Sequence, residues 1–190
     1  TLDKSTKYED FKDLLKDEKT ILDNLLNKIT ELEAEQPQEN VETFEGIQFT
    51  GNAGPGIAGY NDLNYVGLNG IKWKIIHGRD VETNEGNFGI DGKGIILRHS
   101  SSSLTVTFES LSKFSFQYRK AYTADREREI IIEIKGENIE EKIELEPFND
   151  DTVRTYESNE LNIEGPVTIK ITLNSSKNSH ITIDNFKWVE

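Results

Sequence analysis

The last ten residues, ITIDNFKWVE (181–190), contain a conflict that a strand has to resolve. Ile181 and Ile183 alternate as one face, Phe186 and Trp188 alternate as another, and the two pairs are one residue out of step. Strand side chains repeat every two residues, so both pairs reach one core only if the register slips between them. The slip falls on Asp184 and Asn185. A bulge there turns a carboxylate out of its expected direction. The plain alternative is a bend closed by side-chain to backbone hydrogen bonds.

Other residues offer recognition chemistry. Arg98, Gln117 and Arg119 point away from the apolar faces of their strands. Guanidinium and amide groups in that position hold sugar hydroxyls or carboxylates in a fork geometry, unless the face is simply solvated. Tyr60 and Tyr65, in the Gly- and Asn-rich stretch 51–70, and Tyr122, just beyond a strand, are the aromatic rings placed to stack on a ligand or to cover the core. Trp73 shares a face with Ile71 and Ile75 and reads as core. HGRD (77–80) reads as a turn, where residues three apart make a poor catalytic dyad. No G-x-S-x-G, H-E-x-x-H or P-loop pattern occurs, and three histidines (His77, His99, His180) argue against a histidine-rich metal site. Paired carboxylates arise by chance among 35 acidic residues. No catalytic residue is nominated, and the expectation is a protein that is not an enzyme.

Two unlike segments must position these groups. Residues 1–35 read as one long helix, with apolar residues at Tyr8, Phe11, Leu14, Leu15, Ile21, Leu22, Leu25, Leu26, Ile29 and Leu32. Thr6 three residues before Glu9 has the capping-box spacing. As heptads the pattern has one flaw, Glu18, and a stripe wider than a dimer seam. The helix either docks on a domain or forms a homo-oligomeric stalk through residues 7–35. QPQENV (36–41) reads as a linker. Residues 42–190 then carry about ten short alternating runs: 42–49, 71–76, 94–100, 103–109, 113–121, 129–136, 139–146, 152–157, 167–173 and 179–189. Such spacing, with turn signals and no helical pattern between, predicts a mainly β, antiparallel sandwich preceded by one long N-terminal helix.

Composition limits the partners. The chain has 190 residues, no cysteine, no methionine and a formal charge of −13. That charge repels phosphate backbones, so nucleic acid is not expected as a partner, and it suits cations that take oxygen ligands. No apolar run approaches the about 20 residues of a membrane span, so membrane insertion is not expected. The missing initiator methionine leads to the expectation of a processed form or a piece of a longer protein.

The two ends of the β segment carry a resemblance. ETFEG (42–46) at its start and ITIDNFKW (181–188) at its close resemble the galactose-binding-like jelly rolls, which include bacterial carbohydrate-binding modules. DGKGIILRHSSSSLTVTFESLSKFSFQYRKAYT (91–123) is similar to the accessory β-sandwich modules of secreted bacterial nucleases and glycan-active enzymes. The resemblance implies a jelly roll over 42–190, with its first and last strands adjacent. It implies a structural Ca2+ held by Glu45 and Asp184, with Glu42 as a substitute. It further implies a non-catalytic glycan-binding module of a larger secreted or cell-surface protein. A structural reading stays open beside it: a stalk-and-head unit of a surface or phage-fibre assembly.

Overall fold

The computed structural model describes residues 4–34, 39–48, 59–80, 88–175 and 177–190. The chain divides into two compact units, Thr1–Gln38 and Glu39–Glu190.

The first unit is the helix α1, Lys4–Ala34, about 47 Å long at 1.5 Å per residue. Thr6 lies inside its first turns and not at its N-cap. Leu15, Ile21, Leu22, Leu25, Leu26 and Ile29 are all exposed, so the apolar stripe read from the sequence is open over this stretch. The helix is not apolar enough to cross a membrane.

The second unit is an antiparallel jelly-roll sandwich. Its strands are β1 Asn40–Glu42, β2 Asn61–Val66, β3 Lys72–Asp80, β4 Ile95–Leu97, β5 Ser103–Leu111, β6 Lys113–Lys120, β7 Ile130–Gly136, β8 Glu140–Glu144, β9 Arg154–Glu157, β10 Ile163–Leu173 and β11 Ile181–Val189. They form one curled sheet in the order β8-β7-β10-β5-β3-β4-β11-β6-β9, with β1 on β11 and β2 on β3. The short β4 pairs with β3 on one side and β11 on the other, linking the two layers. The first strand lies against the last, with Asn40 opposite Trp188 and Glu42 opposite Phe186.

Three details differ from the sequence reading. β2 occupies part of the stretch read as loop, because its Leu63 and Tyr65 pack against the core. β3 runs through HGRD, so His77 to Asp80 are strand residues and not a turn. β1 is only three residues long and begins at Asn40.

The core is an aromatic slab between the layers. Phe186 stacks on Phe114 at 5.6 Å and on Phe116 at 6.0 Å, and meets Trp73 edge-on at 5.0 Å. Trp188, Phe108 and Phe44 complete it, all fully buried. β11 supplies both its out-of-step pairs to this core. Asp184 faces Gln117 and Lys187 faces Ser115, so three steps on β11 match two on β6. The extra residue is Asn185, in the left-handed region at φ 47°. Left-handed backbone costs a non-glycine residue about 1 kcal/mol, whereas exposing Phe186 and Trp188 would cost about 2 kcal/mol each. Packing therefore wins and the strand slips. Asn185→Val is expected to destabilise the fold by about 1–2 kcal/mol, because a β-branched side chain resists this backbone. Asn185→Gly is expected to leave stability nearly unchanged. Urea unfolding of the two variants checks the contrast.

β3 contains a matching slip. Asn61 faces Gly78 and Leu63 faces Ile75, and His77 sits at φ 46° with its N–H donating to Asp62 Oδ1 at 2.8 Å. Two bulges thus re-aim one residue each, Asn185 on β11 and His77 on β3.

Candidate functional site

Three constellations lie at or beside these bulges. The first is an acidic pocket under the loop 89–94. Asp184 is fully buried, and its two oxygens accept from the backbone N–H of Asn185 at 2.7 Å and of Asp91 at 3.2 Å. Glu45 Oε1 accepts from the backbone N–H of Lys93 at 2.6 Å. A Cβ on Gly92, at φ 80°, would sit 1.9 Å from Glu45 Oε1, so the loop needs glycine there. Burial pushes the Asp184 carboxyl up to about 7; the two N–H bonds oppose this, while the charges of Glu45 and Asp91 add to it. Lys93, in the loop, donates its Nζ to Ile47 O at 3.1 Å. Oxygen groups and negative charge therefore gather at Asp184, the donor chemistry a calcium ion takes. Among the described residues, no three His, Asp or Glu side chains close around a single point. Any shell there needs backbone carbonyls as well.

Glu42 does not belong to this pocket. Its carboxylate, 4% exposed, accepts from the N–H of Phe44 at 2.8 Å and of Leu68 at 2.7 Å, and from Tyr65 Oη at 3.4 Å. It ties β1 to β2, which corrects its nomination as a substitute metal ligand. Tyr65 is corrected with it: its ring packs on Phe44 at 6.4 Å and covers the core.

The second constellation is a groove of ≈ 280 Å³ on the outer face of β9-β6-β11, lined by Glu39, Ser115, Gln117, Thr155, Glu157, Asn185 and Lys187. Gln117 Oε1 accepts from Asn185 Nδ2 at 2.8 Å. Lys187 Nζ pairs with Glu39 at 2.8 Å along one side. The described lining residues supply an amide pair, two hydroxyls, two carboxylates and an ammonium, and among them there is no aromatic ring.

The third is a cluster of rings and cations at the end of β4. The Tyr60 ring stacks on His77 at 5.2 Å and lies 5.8 Å from His180. The Arg98 and Arg79 guanidinium carbons sit 5.2 and 5.8 Å from its centroid. His77 stacks on His99 at 4.8 Å, and Tyr122 meets His180 edge-on at 4.7 Å. Tyr60 is thus engaged on its ring by the protein itself and is no open stacking platform. Arg128 anchors the cluster from behind. Fully buried, it donates to the carbonyls of His180 at 2.9 Å and Ala124 at 3.0 Å, to Arg126 O, and to Asn149 Oδ1 at 2.7 Å. Arg128→Met is expected to cost about 3 kcal/mol, since those acceptors lose their donors in a dry site. Thermal unfolding of the variant checks it.

The six nominated ligand-binding residues therefore separate. Gln117 lines the groove; Arg98, Tyr60 and Tyr122 belong to the ring cluster; Tyr65 covers the core. Arg119, opposite Thr182, donates to Gly89 O at 3.2 Å and holds the loop that closes over Asp184. Sequence reasoning missed the convergence of all three histidines, because HGRD looked like a turn. It also missed Asn185 as the partner of Gln117. The local signal for the first was the run IKWKIIHGRD, whose apolar residues stop short of the strand's end.

No protein-family model matches the chain, and no curated protein matches it. Among solved structures the chain is similar to a family 61 carbohydrate-binding module in complex with β-1,4-galactotriose (TM-score 0.48, 14% identity, covering 62% of this chain and 88% of that one). It is similar to a xylan-binding domain of family 22 (TM-score 0.48, 8% identity, covering 82% and 96%). It is also similar to a family 36 carbohydrate-binding module in complex with calcium and xylotriose (TM-score 0.39, 13% identity, covering 59% and 92%).

Proposed function

We propose that the sandwich is a non-catalytic glycan-binding module, and that the groove around Gln117 and Asn185 is its sugar-binding surface. The observation that carries this reading is the groove's lining: mixed donors and acceptors, fixed on three paired strands, with Gln117 already oriented by Asn185. A sugar ring presents hydroxyls that both donate and accept, and such a surface meets both needs. Recognition by hydrogen bonds from the described lining residues gives a modest affinity per site, and an oligomeric assembly through α1 would raise it by avidity. The exposed Leu15, Leu22, Leu25 and Ile29 are the residues such a stalk would bury.

Glu45 and Asp184, with Asp91 beside them, would hold a calcium ion. The ion would neutralise the buried carboxylate and pin the loop 89–94 to β11, next to the groove's Asn185. A module of this kind serves a longer secreted or cell-surface protein by attaching it to a polysaccharide. The direct test is a glycan array with and without calcium. Saturable binding to at least one glycan is expected. Silence on every glycan by a folded chain would reject the module and favour a structural head domain.

A further inference from the structure

The ring and cation cluster is separate from the groove and has its own chemistry. It contains every histidine of the chain, His77, His99 and His180, with Arg79 and Arg98 around Tyr60. Arg98 Nε donates to Asn178 Oδ1 at 2.7 Å, and its two terminal nitrogens have no hydrogen-bond partner among the described residues. His77 Nε2 and His180 Nδ1 are buried polar atoms and likewise have no hydrogen-bond partner among the described residues. Buried nitrogens without partners are costly, and here they lie among cations in a chain whose net charge is −13.

We infer that this cluster is an anion-binding site that takes a single carboxylate-bearing sugar residue, a uronic acid. A guanidinium fork matches a carboxylate in a bidentate geometry. The imidazoles supply further donors once an anion is present. The local field agrees. Burial holds the His180 imidazole down near 4, and the positive charges of Arg98, Arg128 and Arg79 add to it. His99 is lowered too, by burial first and then by His77 and Arg98. The overall negative charge disfavours a long polyanion such as nucleic acid, because chain beyond the cluster meets acidic surface. A compact anion on an otherwise neutral sugar avoids that repulsion. The choice of a sugar as carrier of the anion rests on the glycan reading; the anion site itself does not.

The three histidines are a built-in readout. Imidazole proton signals of the full chain are followed by NMR during addition of galacturonate or glucuronate, of galactose or glucose, and of inorganic phosphate or sulfate. Both uronates are expected to shift all three histidine signals saturably, and the neutral sugars to leave them in place. Arg98→Gln is expected to weaken the uronate at least tenfold and Arg98→Lys about threefold, with the fold retained by circular dichroism. Equal shifts with neutral sugars, or no shift with either uronate, would overturn the site. Phosphate or sulfate binding more tightly than the uronates would overturn the sugar assignment. Failure of the glycan reading shows elsewhere, at Gln117 and Asn185 in the groove, so the two outcomes are told apart in one sample.

Discussion

In the presence of calcium the parent chain is expected to unfold at a higher temperature, and the Asp184→Asn variant to show no such gain. At a concentration one hundred times the dissociation constant, a bound ion adds about 2.7 kcal/mol, or roughly 5–10 °C for a domain of this size. Without calcium the variant separates from the parent by pH. Asp184 is held at about 7 in the fold against an ordinary value of 3.8. The folded state therefore binds its proton more tightly than the unfolded one, and stability falls as pH rises from about 4 to 7. The upper limit of that loss is about 4 kcal/mol. Protein interiors screen charge more strongly than a dry medium would, which leaves about 1–2 kcal/mol. The stability difference between variant and parent is thus expected to move in the variant's favour by that amount between pH 5 and pH 8. His180, held near 4, works in the opposite direction below its ordinary value, but it is common to both proteins and cancels. Identical pH profiles, or a calcium response that survives in Asp184→Asn, would remove the ion from the pocket.

The second large effect concerns recognition. Gln117→Ala is expected to lower glycan affinity about tenfold, the cost of roughly one well-placed hydrogen bond of 1.4 kcal/mol. Asn185→Gly keeps the bulge but releases Gln117, so a loss of about threefold is expected. Lys170→Ala, on the outer face of β10 where Lys170 pairs with Glu133 at 2.8 Å, is expected to bind as the parent does. Affinity electrophoresis or calorimetry with the best glycan of an array checks all three. Equal losses in all three variants would mean general destabilisation and not a site.

Much of the architecture was legible in the sequence because period-two alternation is local. Leu104, Val106 and Phe108, or Ile130, Ile132 and Ile134, declare an inward face without knowledge of any partner strand, and all six are buried. The slip at Asp184 and Asn185 was legible for the same reason: two hydrophobic pairs out of phase require a slip between them, and the register of β11 on β6 makes it a bulge. Pairings between distant strands were not legible. Nothing local shows that β3 continues through His77, since its left-handed backbone is stabilised by Asp62 on a strand fifteen residues earlier. The resemblance made Glu42 a substitute metal ligand, yet its direction is set by the amide of Leu68, reached only when β2 folds back. The exposed polar face was read correctly as polar, but only the register of β6, β9 and β11 shows that Gln117, Thr155 and Asn185 border one groove.

Backbone amide shifts of the sandwich, recorded while the best glycan is added, test the sugar surface most directly. Saturable shifts clustered at Ser115, Gln117, Thr155, Asn185 and Lys187 are expected. Shifts confined to β7, β10 and β5, with these five residues unmoved, would contradict it.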